Sequence, residues 1–151
     1  MSVKVLAADV YDVIATGLIA QLDAEIERRY PGEPINGVDP DEFQASDGYF
    51  VIGYWDSKAA GCGAFRPYDQ ATVEIKRVFV KPEFQRRGIA RAILGIVEVE
   101  ARKRGYQRSI LETANRQPEA IALYKSCGYE EIAKYGQYLD SARSLCFGKS
   151  L

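Results

Sequence analysis

The segment Lys76 to Leu94, KRVFVKPEFQRRGIARAIL, runs from strand-like residues through Pro82 into two arginines and a glycine, and then into a helical pattern. A strand that hands over to a helix at Gln85-Arg86-Arg87-Gly88-Ile89-Ala90 has the makings of an anion site. Free backbone N–H groups meet the positive end of the helix dipole there, Gly88 permits close backbone approach, and Arg86, Arg87 and Arg91 offer charge-assisted contacts. A phosphate is the expected anion. The segment is not a Walker-type loop, because no Lys-Ser/Thr pair follows the glycine, and a dinucleotide fingerprint would follow an early strand of a parallel sheet.

The second chemical constraint is an absence: the 151 residues contain no histidine. Ser-His-Asp and Cys-His machinery and the commonest zinc sites are thereby removed, and a general base must be Glu, Asp, Lys, Tyr, Cys or a water chain. The three cysteines, Cys62, Cys127 and Cys146, lack metal-ligand spacing and an activating histidine, so packing is their expected role and no metal is expected. Twenty basic against 21 acidic residues give a formal charge of −1, which argues against nucleic-acid binding through a net positive field. No apolar run approaches the ~20 residues that span a bilayer, and MSVKVLAADVYD lacks the features of a signal peptide, so a cytoplasmic protein without a membrane partner is expected.

Residues 1–151 are enough for one domain around one core. VKVLAA reads as a strand, followed by a helix capped by Asp12 with Ile14, Leu18, Leu22 and Ile26 on one face. A short helical turn at DPDEF precedes the strands YFVIGYW, AAGCGAF and TVEIKRVFV, the first two joined by a turn near Asp56–Lys58. From Gly88, the residues Ile89, Ala92, Ile93, Ile96 and Val97 form a helical stripe that ends in cations and Gly105. RSILET is then a strand, PEAIALYKSC a helix opened by Pro118 and stopped by Gly128, and SLCFGK the last of one or two closing strands. Several strands in a row followed by a strand–helix–strand unit imply a mixed sheet, antiparallel at first and parallel across the long helix.

The pattern VEIKRVFVKPEFQRRGIARAIL, then LET…QPEAIALYKSCGY, then a closing strand resembles the GNAT superfamily of N-acetyltransferases. The resemblance covers most of the chain from about Gly61 onward, and Gln85 to Ala90 match the family's Gln-x-x-Gly-x-Gly/Ala segment. It implies an α/β (α+β) fold: a mixed, mostly antiparallel central sheet with a parallel, splayed pair of fourth and fifth strands and helices on both faces. It further implies acetyl-CoA as acetyl donor, with the pyrophosphate at Gln85, Arg86, Arg87, Gly88, Ile89, Ala90 and Arg91. The pantetheine arm would run along Val78, Phe79 and Val80, with further contacts from Gln117 and Lys125. The family's asparagine before the last helix is replaced by Gln117, with Asn115 two positions earlier.

By the same resemblance Glu74, in the fourth strand, is the expected base and Tyr124 the expected acid for the leaving thiolate. The structural alternatives are a surface ion pair of Glu74 with Lys76 and aromatic packing by Tyr124. The acceptor pocket would come from YPGEPIN and AKYGQYLDSAR, with Tyr30, Arg77, Tyr135 and Tyr138 as candidate substrate residues and Arg143 as a further carboxylate ligand. The expected acceptor is a small-molecule amine, with a protein N-terminus or lysine as the alternative. Homodimer formation is left open. A non-catalytic acyl-CoA-binding sensor is the alternative from another class.

Overall fold

The computed structural model describes residues 2–33 and 39–151. Its elements are β1 (Val3–Ala7), α1 (Val13–Arg29), α2 (Pro40–Ala45), β2 (Tyr49–Trp55), β3 (Lys58–Pro67), β4 (Thr72–Val80), α3 (Ile89–Lys103), β5 (Arg108–Ala114), α4 (Pro118–Ser126), β6 (Glu130–Ile132) and β7 (Ser144–Ser150), with short 3₁₀ turns at Pro82–Phe84 and Gly136–Tyr138. The helix starts follow from local chemistry. Asp12 accepts the Ile14 N–H, Asp39 accepts those of Asp41 and Glu42, and Pro118 opens α4 where its missing N–H costs nothing.

The seven strands form one sheet in the order β1-β2-β3-β4-β5-β7-β6. All neighbours are antiparallel except β4 and β5, which are parallel across α3. Adjacent residues in the central strands point to opposite faces, and both faces are covered, so β2 reads as a nearly continuous apolar run. On one face Val51, Phe65, Val73 and Leu111 pack against Ile89, Ile93, Leu94, Val97 and Ala101 of α3, with Tyr124 and Tyr129 joining them. On the other, Ile52, Cys62, Ala64 and Phe79 pack against Ala15 and Leu18 of α1 and Phe43 of α2. Gly63 is what lets α3 lie so close, because a Cβ there would fall 2.4 Å from Ile93 Cγ2.

Two expected stripe residues sit off their stripes. Ile14 is 40% exposed and Ile96 39% exposed. The buried arc of α3 is centred on Leu94, Val97 and Ala101, which leaves Ile96 beyond its edge and brings Glu98 inside it. Glu98 is buried with partners, accepting from Tyr129 OH at 2.9 Å and from Lys149 Nζ at 2.9 Å.

The feature that builds a site is a departure from regular pairing. The β4–β5 ladder contains only Thr72↔Arg108, Val73↔Ser109 and Glu74↔Ile110, after which the two strands separate. On its other side β4 carries a bulge, with Arg77 and Val78 together opposing Gly63, and Arg77 takes a left-handed φ of 60°. The backbone edges of β4 beyond Glu74 and of β5 beyond Ile110 therefore have no strand partner in each other. Among the described residues no helix is long and apolar enough to cross a membrane.

Candidate active site

A cleft of about 540 Å³ opens where β4 and β5 separate. Its walls come from α1, the second half of β4, the loop into α3, the end of β5 and α4, with Arg143 from the β6–β7 connection at its rim. The lower part of YPGEPIN, residues 34–36, lies outside the described residues, while Tyr30 lines the cleft.

One end of the cleft combines a helix start with cationic side chains. Gly88 caps α3 with φ 78°, and Arg86 also adopts a positive φ of 64°, left-handed values of the kind found in anion-binding turns, here at the head of a 15-residue helix. A Cβ built on Gly88 meets nothing within 4 Å, so the space over the helix end is open. Gln85 ties this loop to the strand by donating from Nε2 to Val80 O at 3.2 Å. Arg86 and Arg91 line the cleft, and Arg91 is braced by Ser126 Oγ at 2.8 Å from Nη2. Arg87 points elsewhere, its guanidinium lying 5.0 Å from the Trp55 ring centroid and 5.6 Å from that of Phe84. Lys125 is exposed and is not among the lining residues, whereas Val78, Phe79, Val80, Ile89, Ala90 and Gln117 are.

Two groups face the interior of the splay. Tyr124, on α4, is buried except towards the cleft, packs edge-on to Tyr129, and among the described residues no partner engages its hydroxyl. Burial raises its pKa, with the charge of Glu112 adding to the effect, so the phenol stays protonated at neutral pH. Opposite, towards the C-terminal end of β5, Glu112 lines the same cleft. Burial also raises the Glu112 pKa, partly opposed by a hydrogen bond from Ser144 Oγ at 2.7 Å and by the charge of Lys76. A carboxylate tuned upward in a cleft is a general-base candidate.

Glu74 has a different setting. It is 1% exposed, does not line the cleft, and holds both carboxylate oxygens in bonds: Arg66 Nε donates to Oε1 at 2.9 Å and Tyr135 OH to Oε2 at 2.8 Å. Its ion-pair partner is therefore Arg66, directly opposite on β3, rather than a solvated Lys76. Lys76 is itself buried, donating from Nζ to Tyr138 OH at 2.9 Å, and burial lowers its pKa. Glu74→Gln is expected to lower the melting temperature, since Arg66 loses its counter-charge at a cost of about 2 kcal/mol, with no change in coenzyme affinity. Thermal denaturation and calorimetry check this.

Of the candidate substrate residues, Tyr30 and Arg77 line the cleft and Tyr135 and Tyr138 do not. Tyr135 stands between Tyr68 and Tyr138 in an edge-to-face ladder, its hydroxyl spent on Glu74. Arg77 is paired with Asp23 of α1 at 2.6 Å, which ties the β4 bulge to that helix. The Tyr30 hydroxyl accepts from Arg116 N at 3.0 Å, and Arg143 stacks on its ring at 4.8 Å while pairing with Glu33.

Glu112 is a cleft residue that sequence reasoning does not single out. The available signal is its position: a carboxylate towards the carboxyl end of β5, the strand that completes the parallel crossover from β4 through α3, where ligands of open sheets gather.

The sequence profile of the acetyltransferase (GNAT) family matches residues 19–129, more than half of the chain. The chain belongs to the GNAT family. An IAA acetyltransferase of Azospirillum brasilense is 32% identical over 135 residues, covering 89% of this chain and 88% of the relative. A crystal structure from Klebsiella pneumoniae, provisionally assigned as an acyl-CoA N-acyltransferase, superposes with TM-score 0.84 at 26% identity over 99% of this chain and 97% of the other. A GNAT acetyltransferase of Elizabethkingia anophelis with acetyl-CoA bound shares the fold, with TM-score 0.74 at 19% identity, covering 99% of this chain and 98% of that one. As a GNAT acetyltransferase, the chain has the family's mixed sheet with its parallel, splayed pair, as its sequence leads one to expect.

Proposed function

We propose that this GNAT enzyme transfers the acetyl group of acetyl-CoA directly to the primary amine of a small molecule, with Glu112 as the base and Tyr124 as the proton donor to the leaving thiolate. The observation that carries the proposal is the joint placement of a raised-pKa carboxylate and an unengaged phenol in one cleft whose far end is the Gly88 anion site. Acetyl-CoA supplies an activated acyl thioester when bound. Every proton movement is then left to the chain. An amine is mostly ammonium at neutral pH, and Glu112 takes the proton that attack requires. The edge of β4 around Val78, which β5 leaves unpaired beyond Glu74, is where backbone N–H donors would meet the charge that develops on the acyl oxygen. Tyr124, still protonated, donates to the departing sulfur.

We place the base at Glu112 rather than Glu74 because a base must reach the proton it removes, and both oxygens of Glu74 are already engaged outside the cleft. A small acceptor is favoured because the cleft wall on α1 mixes Glu25 and Arg29 beside apolar Leu22 and Ile26, with no acidic track for a basic peptide. Thiol release from acetyl-CoA should be followed across spermidine, tyramine, glucosamine, free amino acids and N-terminal peptides. Turnover confined to the peptides would transfer the acceptor to proteins. Tight coenzyme A binding without turnover on any amine would leave a sensor.

Tyr124→Phe is expected to lower kcat about 10²-fold, the lower range for proton-transfer catalysis, while acetyl-CoA affinity stays nearly intact. If kcat is unchanged when chemistry limits the rate, Tyr124 is a packing residue only.

A further inference from the structure

Beneath Glu112 lies a two-hydroxyl chain that the proposed reaction does not use. Glu112 on β5 is opposite Cys146 on β7, which makes Ser144 its diagonal neighbour on the adjacent strand. Ser144 is fully buried, and its Oγ lies 2.7 Å from Glu112 Oε2 and 2.8 Å from Ser141 Oγ. A serine hydroxyl has one proton to give, and an ionised carboxylate can only accept. While Glu112 is charged, Ser144 must therefore donate to it, and Ser144 Oγ must in turn accept the proton of Ser141. Ser141 is held in place by its own backbone, since its carbonyl accepts from Lys134 Nζ at 2.6 Å and its N–H donates to Tyr138 O at 3.0 Å.

We propose that Ser144, oriented by Ser141, is a positioning residue for the base: it anchors Glu112 through Oε2, leaves Oε1 to the cleft, and sets the pH at which the carboxylate becomes available. This rests on the reading of Glu112 as the base. The anchor works because it is a bond to the charged form, which favours ionisation in a site where burial opposes it. The other groups facing Glu112 are Lys76 and Glu74 from β4, Cys146 from β7, Tyr138 from the β6–β7 connection and Tyr124 from α4. Lys76 assists ionisation and Glu74 opposes it, so between them they leave a role for a neutral donor. The site needs both properties at once. A desolvated carboxylate is a stronger base, and the anchor favours the ionised form that burial opposes.

The test separates this role from the catalytic one. Carboxyl-carbon NMR titration of the whole protein without substrate, compared with Glu112→Gln to assign the signal, reads the ionisation of Glu112 itself. Ser144→Ala is expected to move that titration upward by about one pH unit, the size of one hydrogen bond to a charged group. The acidic limb of kcat/KM for the best amine of the panel above should move upward by the same amount, with KM for acetyl-CoA unchanged and activity recovering at high pH. Ser141→Ala, at a half-buried position, should shift both in the same direction by less, and it decides the matter if Ser144→Ala does not fold. An unmoved titration overturns the proposal alone. A shifted titration with an unmoved kinetic limb overturns Glu112 as the base, and the role of Ser144 with it. An activity loss equal at every pH overturns the anchoring role in favour of a packing one.

Discussion

Glu112→Gln is expected to lower kcat/KM for the amine about 10³-fold at pH 7, within the range a general base contributes. The amide keeps the shape of the side chain and a partner for Ser144, so the fold should survive and coenzyme affinity should change little. What is lost is the ability to accept a proton. The loss should accordingly shrink as pH rises towards the pKa of the acceptor, near 10 for an alkylamine, because a neutral amine no longer needs deprotonation. Glu74→Gln makes the contrast, with kcat/KM nearly preserved and the cost appearing in thermal stability. Profiles of both variants from about pH 6 to 10 decide between the two carboxylates. A profile for Glu112→Gln parallel to wild type, or a pH-dependent collapse in Glu74→Gln, would return the base to Glu74 or to ordered water.

The reason these two glutamates are hard to tell apart in the sequence is informative. Both lie in strands on either side of the parallel crossover, Glu74 between Val73 and Ile75 and Glu112 between Leu111 and Thr113. What separates them is where the β4–β5 ladder stops. Glu74 is the last paired residue of β4, while Glu112 lies two residues past the last pair of β5. No local propensity marks that point, since it follows from the Arg77 bulge and from the partner strands. The partners of Glu74 are equally non-local: Arg66 is its cross-strand neighbour on β3, and Tyr135 arrives from a loop 61 residues away.

By contrast the anion end is legible because its chemistry is local. A helix start with Gly88 and flanking cations needs only its own six or seven residues to be recognised, and the structure gives it the left-handed φ values at Arg86 and Gly88 that such a loop uses. Even there the direction of each side chain is not written locally. Arg87 stacks on Trp55 and leaves Arg86 and Arg91 at the cleft, a choice made by the β2 residue it meets. Tyr30 lines the cleft whereas Tyr135 and Tyr138 are drawn into the ladder with Tyr68, for the same reason.

The anion end carries the other large effect: Gly88→Asp is expected to weaken coenzyme A binding 10²- to 10³-fold. Two losses add. Charge-assisted bonds from the loop N–H groups to a pyrophosphate are each worth about 1.5–3 kcal/mol, and a side-chain anion over the helix end would displace the ligand from them and repel it. The free protein has less to lose. A Cβ at Gly88 meets no atom within 4 Å, and aspartate tolerates a φ of 78° better than most residues, so a destabilisation of about 1 kcal/mol is expected. Gly88→Asn separates the causes, since it shares the shape and backbone strain without the charge and should cost only about tenfold. Calorimetric titration with coenzyme A, on variants whose melting curves remain cooperative, reads the effect directly. If folded Gly88→Asp binds coenzyme A with wild-type affinity, the pyrophosphate does not sit at the start of α3, and the open space over that helix must belong to another part of the ligand.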